Sequence, residues 1–139
     1  MTSTKLVTAL LLVSAIVRGD TYSGQQCPNF ATTEQPYLYL YTSEWYQGYP
    51  LYVTNANIPD LGHLPQASSY SSFYDDKASS LRVRGKWRIC TSSSYGGACV
   101  DVSSSSWKSE LMVESLAAKF GDEYDDSISS IKLLSCSQY

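Results

Sequence analysis

Apolar and aromatic residues alternate with polar ones in short runs along this chain. That is the period-two pattern of half-buried β-strands. Tyr37-Leu38-Tyr39-Leu40-Tyr41 is the first strand, rich in residues that favour the pleated surface. Gln47-Gly48-Tyr49-Pro50 breaks it, and Leu51-Tyr52-Val53 resumes as a second. Residues 55–73 are turn-rich, with Pro59, Gly62 and Pro65. Further strands are predicted over 79–84 and 87–91, on either side of Gly85-Lys86, and over 98–102 and 129–134. One segment has a different period. Met112, Leu116 and Phe120 recur every fourth residue, with Glu110 early and Lys119 late, which predicts a short helix over 109–120. Ser109 is its expected N-cap and Gly121 its stop. So short and acidic a helix suits core packing over a sheet edge rather than membrane binding.

Two segments repeat at a fixed distance. Asp75-Asp76-Lys77-Ala78-Ser79-Ser80 and Asp125-Asp126-Ser127-Ile128-Ser129-Ser130 lie 50 residues apart, each followed by an apolar alternation. A second pair keeps nearly the same period: Tyr41-Thr42-Ser43-Glu44-Trp45-Tyr46-Gln47-Gly48 and Cys90-Thr91-Ser92-Ser93-Ser94-Tyr95-Gly96-Gly97 are offset by 49. Two signals at one period imply two copies of one supersecondary unit. The acid and serine side chains are oxygen donors, the ligand type a hard cation such as calcium takes.

The Tyr-x4-Tyr-x-Gly hairpin followed by Asp-Asp-x-x-Ser-Ser resembles the Greek key motif of the βγ-crystallins. Two such motifs make one domain in that family. The resemblance therefore implies an all-β, βγ-crystallin-like sandwich over about 37–136, with one Greek key over about 37–84 and the other over about 86–136. Cys90 departs from the pattern where an aromatic is expected, and the resemblance covers one domain where lens crystallins have two. The doubled acidic motif resembles the paired calcium loops of the family's calcium-binding members. Carried over by position, that resemblance makes Asp76 and Asp126 carboxylate ligands that cross to the opposite loop. It makes Ser79 and Ser129 hydroxyl ligands, and Lys77 and Ser127 main-chain carbonyl ligands. A hairpin carbonyl near Ser43 and another near Ser92 would complete two Ca2+ sites, with water filling the rest. The final serines, Ser80 and Ser130, are expected to support the folded hairpin with or without metal.

The N-terminus reads as a secretory signal over 1–19. Lys5 supplies the positive charge, residues 6–17 are apolar but too few to span a membrane, and Val17 and Gly19 are small enough to precede a cleavage site before Asp20. An irregular arm over 20–36 follows. Roughly 120 residues would remain, enough for one core. Cleavage removes Lys5 and Arg18, lowering the basic count from 10 to 8 against 13 acids, so the mature net charge is −5. A nucleic-acid partner is not expected on that balance. Four cysteines in a secreted chain predict two disulfides, with three pairings possible. Cys90–Cys99 is favoured because the two flank one hairpin turn, which leaves Cys27–Cys136 to tie the arm to the last strand. No Cys-x2-Cys pair is present and His63 is the only histidine, which argues against zinc.

Arg82, Arg84, Lys86 and Arg88 alternate with apolar residues around a turn. They read either as the solvent face of a sheet or as a docking ridge for an anionic glycan or lipid. Catalysis finds little support. His63 has no patterned nucleophile near it, the serines at 103–106 form no nucleophile motif, and adjacent carboxylates diverge rather than span a sugar. The first expectation is a secreted, monomeric, non-enzymatic calcium-binding protein. The second is an interaction or defence protein on the same fold, toxin-like, a protease inhibitor or a subunit of a membrane-active complex, using the basic ridge and any open tyrosine patch between Tyr37 and Tyr52.

Overall fold

The structure, a computed structural model, describes residues 15–18, 35–64, 74–106 and 108–135. Its strands are β1 (Ala15–Arg18), β2 (Tyr37–Tyr41), β3 (Pro50–Thr54), β4 (Ser80–Arg84), β5 (Lys86–Ser92), β6 (Gly96–Ser103), β7 (Leu111–Val113) and β8 (Ser130–Leu133). They form a five-stranded sheet in the order β1-β3-β2-β4-β7 and a three-stranded sheet in the order β6-β5-β8. All pairings are antiparallel except that of β1 with β3, which is parallel.

The alternation read from the sequence decides which side of each strand is buried. Leu38, Leu40, Leu51, Val53, Leu81 and Val83 point inward from the first sheet, and Trp87, Ile89, Val102 and Ile131 from the second. Together they make one core, closed at the ends by Ile58, Leu61, Tyr74, Leu116, Tyr124 and Ile128. The two halves are also joined through their backbones. β7, from the second half, pairs with β4 in the first sheet. Ile58, from the first half, bridges Ile131 on β8, with backbone N–H to O distances of 2.8 Å in both directions. The first sheet is therefore completed by a strand of the second half, the second sheet is tied to the first half through Ile58, and burial of apolar surface by one half depends on the other.

Two expectations are corrected here. The helix is only α1 (Leu116–Phe120), and Ser115 rather than Ser109 caps it, its side chain accepting from the Ala118 N–H at 3.1 Å. Residues 111–113 form β7 instead, because the open edge of β4 offers them a full set of ladder partners and pairing overrides the helical spacing. Met112 consequently lies on the outer face, half exposed. Gly121 does end the helix, with φ +113° and its N–H on the Ala117 carbonyl.

The four basic residues take the solvent-face alternative, on two faces rather than one. Gly85, at φ +99°, carries the chain from one sheet to the other. Arg82 and Arg84 therefore stand on the first sheet's outer face and Lys86 and Arg88 on the second's. Arg82 pairs with Glu110 at 3.0 Å and Arg88 with Asp101 at 2.7 Å. The tyrosines between residues 37 and 52 are also partly covered: the Arg84 guanidinium lies over the Tyr37 ring and that of Arg82 over Tyr39. Burial, aided by a hydrogen bond to Glu110, pushes the Tyr37 phenol up to about 12.

Of the sequence-stretch assigned to a signal, residues 15–18 form the edge strand β1. The rest of it, residues 20–34 of the arm, and Cys27 and Cys136 with their expected bridge lie outside the described residues. Among the described residues no helix is long and apolar enough to cross a membrane.

Candidate metal site

Each acidic loop begins with a turn that only certain residues accept. Asp76 and Asp126 both take left-handed backbone conformations, φ +57° and +51°. Aspartate tolerates this better than most side chains because its short polar group bonds locally. The loops then clasp each other through the main chain. The Asp76 N–H donates to the Ile128 carbonyl at 3.1 Å, and the Asp126 N–H donates to the Ala78 carbonyl at 2.9 Å.

The side chains cross in the same way. Ser129 Oγ donates to Asp76 Oδ1 at 2.9 Å, and Ser79 Oγ donates to Asp126 Oδ1 at 3.2 Å. Asp76 thus meets the serine of the other loop, 53 positions away, and Asp126 meets Ser79, 47 positions away. Both serines are buried, whereas Asp76 and Asp126 face solvent. Such a pair, with its oxygens about 3 Å apart, matches the spacing of two neighbouring ligands on a cation that takes oxygen at 2.3–2.6 Å. The same hydrogen bonds hold the loops together when no cation is bound.

The hairpin carbonyls are held by the last serine of each motif. Ser80 Oγ donates to the Ser43 carbonyl at 2.7 Å and accepts from the Tyr46 N–H at 3.1 Å. Ser130 Oγ donates to the Ser92 carbonyl at 2.7 Å and accepts from the Tyr95 N–H at 3.0 Å. Ser43 and Ser92 are thereby fixed beside Ser79 and Ser129, and each carbonyl keeps a second lone pair. Ser80 and Ser130 are fully buried and act as the hairpin supports expected of them. The glycines of the hairpin motif have a matching cause. Gly48 (φ +85°) and Gly97 (φ +73°) pack on the hydroxyls of Thr42 and Thr91, so a Cβ at either would collide. Those hydroxyls accept from the Tyr49 and Ala98 N–H groups, both at 3.0 Å.

Lys77 and Ser127 follow the crossing aspartates, as the motif requires, and the Lys77 side chain is exposed. Asp75 Oδ1 and Asp125 Oδ1, the first acids of the two motifs, are each buried with no hydrogen-bond partner. The sequence marks these two as part of the anionic cluster but not as ligands; their equal placement in both motifs was the available signal. Among the described residues no three His, Cys, Asp or Glu side chains cluster as a metal cage. Each crossing instead brings together one carboxylate and one hydroxyl, oxygen donors of the kind a hard cation takes rather than zinc. His63 is exposed and bonds only locally, its Nδ1 2.7 Å from Asp60 Oδ2, and that hydrogen bond holds the Asp60 carboxyl below its usual range.

Cys90 and Cys99 are disulfide-bonded, directly opposite each other on β5 and β6 with Cα atoms 4.2 Å apart. The pairing chosen from the turn is the one formed.

No family model and no curated protein matches the chain by sequence. Solved structures do match it in fold. A βγ-crystallin from Ciona intestinalis, 18% identical, superposes with a TM-score of 0.54 over 70% of this chain and 99% of that chain. A βγ-crystallin from an archaeon, 21% identical, gives 0.51 over 71% of this chain and 98% of that one. A clostrillin double mutant in complex with nickel, 17% identical, gives 0.53 over 71% and 98%. The fold is that of a βγ-crystallin domain with two Greek key motifs.

Proposed function

We propose that this chain, a two-motif domain of the βγ-crystallin fold, is a secreted, monomeric member of that family that binds two calcium ions at its paired acidic loops and catalyses no reaction. The observation that carries the reading is the double crossing, Ser129 on Asp76 and Ser79 on Asp126. One ion would be held by Asp76 and Ser129 with the carbonyls of Ser127 and Ser92. The other would be held by Asp126 and Ser79 with the carbonyls of Lys77 and Ser43. The donor set is all oxygen, and calcium accepts six to eight oxygens in loose geometry, so water completes each shell.

The consequence is mechanical. Each ion would join a loop of one half to a loop of the other, adding to the clasp already made by the main chain. Binding to the folded state alone raises stability by mass action, about 2.7 kcal/mol when free calcium is 100 times the Kd. The protein's activity on this reading is binding and rigidification. The interaction or defence reading has less to draw on, because the four basic residues divide between two faces.

Calorimetric titration of the metal-stripped mature chain tests the proposal. Two calcium ions per chain and a raised melting temperature are expected. No binding heat and no melting shift at millimolar calcium would overturn it.

A further inference from the structure

The two proposed ion sites have the same hydrogen-bond skeleton but not the same covalent support. In the first half the Ser79 N–H donates to the Tyr41 carbonyl at 2.9 Å, and in the second the Ser129 N–H donates to the Cys90 carbonyl at 2.9 Å. Tyr41 and Cys90 are equivalent positions, and each faces an equivalent partner across its hairpin: Tyr41 opposes Pro50, and Cys90 opposes Cys99. Only the second pair is bonded. Cys90 also opposes Ser130 on β8, and the ladder is irregular between Cys90 and Ser92. The bridge therefore closes the stretch that carries the Ser92 carbonyl, and its inner cysteine holds the backbone of Ser129.

Resting on the calcium reading above, we propose that the Cys90–Cys99 bridge positions the ligands of the Asp76–Ser129 site, so that its loss weakens one of the two ions and leaves the other. Without the bridge the irregular stretch after Cys90 gains freedom, and calcium must reorder the Ser92 carbonyl and the Ser129 loop as it binds. Ordering costs of that kind are subtracted from affinity. The Asp126–Ser79 site, whose hairpin runs through Tyr41 without a bridge, has nothing to lose. Access favours a reversible step. Cys90 is fully buried but Cys99 is exposed, so an external thiolate can reach the Cys99 sulfur and expel Cys90 as the thiolate. A second external thiol resolves the mixed disulfide. Two external thiols are thereby oxidised to one disulfide, and Cys90 and Cys99 take up the two electrons and two protons.

The test isolates each site and removes the bridge by mutation, so that the bridge expected between Cys27 and Cys136 is untouched. Asp126→Ala leaves the bridged site, and Asp76→Ala leaves the unbridged one. Adding Cys90→Ala with Cys99→Ala should weaken calcium binding about tenfold in the first background and less than about twofold in the second. A complementary variant does not depend on tolerating the loss. Tyr41→Cys with Pro50→Cys places an equivalent bridge in the first half, and in the Asp76→Ala background it should tighten binding once oxidised. Equal weakening in both backgrounds, or no weakening in either, would overturn the inference while two ions still bound the wild type. Failure of the bridged wild type to bind calcium at all would overturn the calcium reading and this inference with it.

Discussion

The β2–β3 hairpin and the β5–β6 hairpin make one set of hydrogen bonds by different means. In both, a buried serine from the neighbouring strand closes the turn, a threonine hydroxyl takes an N–H across a glycine, and two successive residues adopt left-handed conformations. The first hairpin surrounds this skeleton with rings: Tyr39 stacks on Tyr41, and Tyr46 meets Tyr41 edge-on. The second replaces Tyr41 by Cys90 and uses a covalent bridge. The polar skeleton is thus what the motif requires, and the packing around it is interchangeable. Buried backbone groups must find partners, whereas the side chains packed around them have several adequate solutions.

Removing the skeleton should therefore cost more than removing the packing, and should cost the two halves differently. Ser80→Ala leaves the Tyr46 N–H and weakens the tie on the Ser43 carbonyl, which predicts a loss of about 3 kcal/mol in the calcium-free protein. Ser130→Ala removes the equivalent bonds from a hairpin that the disulfide still closes, and about 2 kcal/mol is expected. Denaturant titration of both variants measures the difference. Equal losses would mean that the bridge gives the second hairpin no added support.

The next effect belongs to the first sheet alone. The Tyr37 phenol is raised to about 12 in the folded protein against 10 unfolded, so the fold holds its proton more tightly. That contribution is complete below pH 10 and is lost as pH rises from 10 to 12. Two pKa units correspond to about 2.7 kcal/mol, and screening of a half-exposed group reduces this to roughly 1 kcal/mol. Tyr37→Phe should flatten the alkaline fall in stability by that amount; an unchanged slope would remove Tyr37 as its source. The ion pairs give the smallest contrast. Arg82–Glu110 is partly buried and shares Glu110 with Tyr37, and double-mutant coupling of about 1 kcal/mol is expected. Arg88–Asp101 is exposed, and its coupling should vanish at high salt.

Strand positions were legible because inward and outward residues alternate: β2 and β4 fall within one residue of expectation. The disulfide was legible because the turn between its cysteines was. What failed had one cause, the choice of partner by residues distant in sequence. The spacing of Met112, Leu116 and Phe120 describes a helix face, but the edge of β4 took the first of them into a strand. The four basic residues look continuous, but Gly85 turns between two sheets. The bridge of Ile58 to Ile131, which links the halves, leaves no local pattern at all. At the candidate site the residue types came from the repeat, and their crossing came from the resemblance rather than from any spacing.

That crossing is the central claim, and a double-mutant cycle read by calcium titration tests it most directly. Asp76→Ala, Ser129→Ala and the two combined are compared with the wild type. If Asp76 and Ser129 hold one ion, either change removes most of its binding energy and the second adds little, so the two effects are strongly non-additive while the Asp126–Ser79 ion remains. Effects that simply add would mean two independent loops and would contradict the shared site.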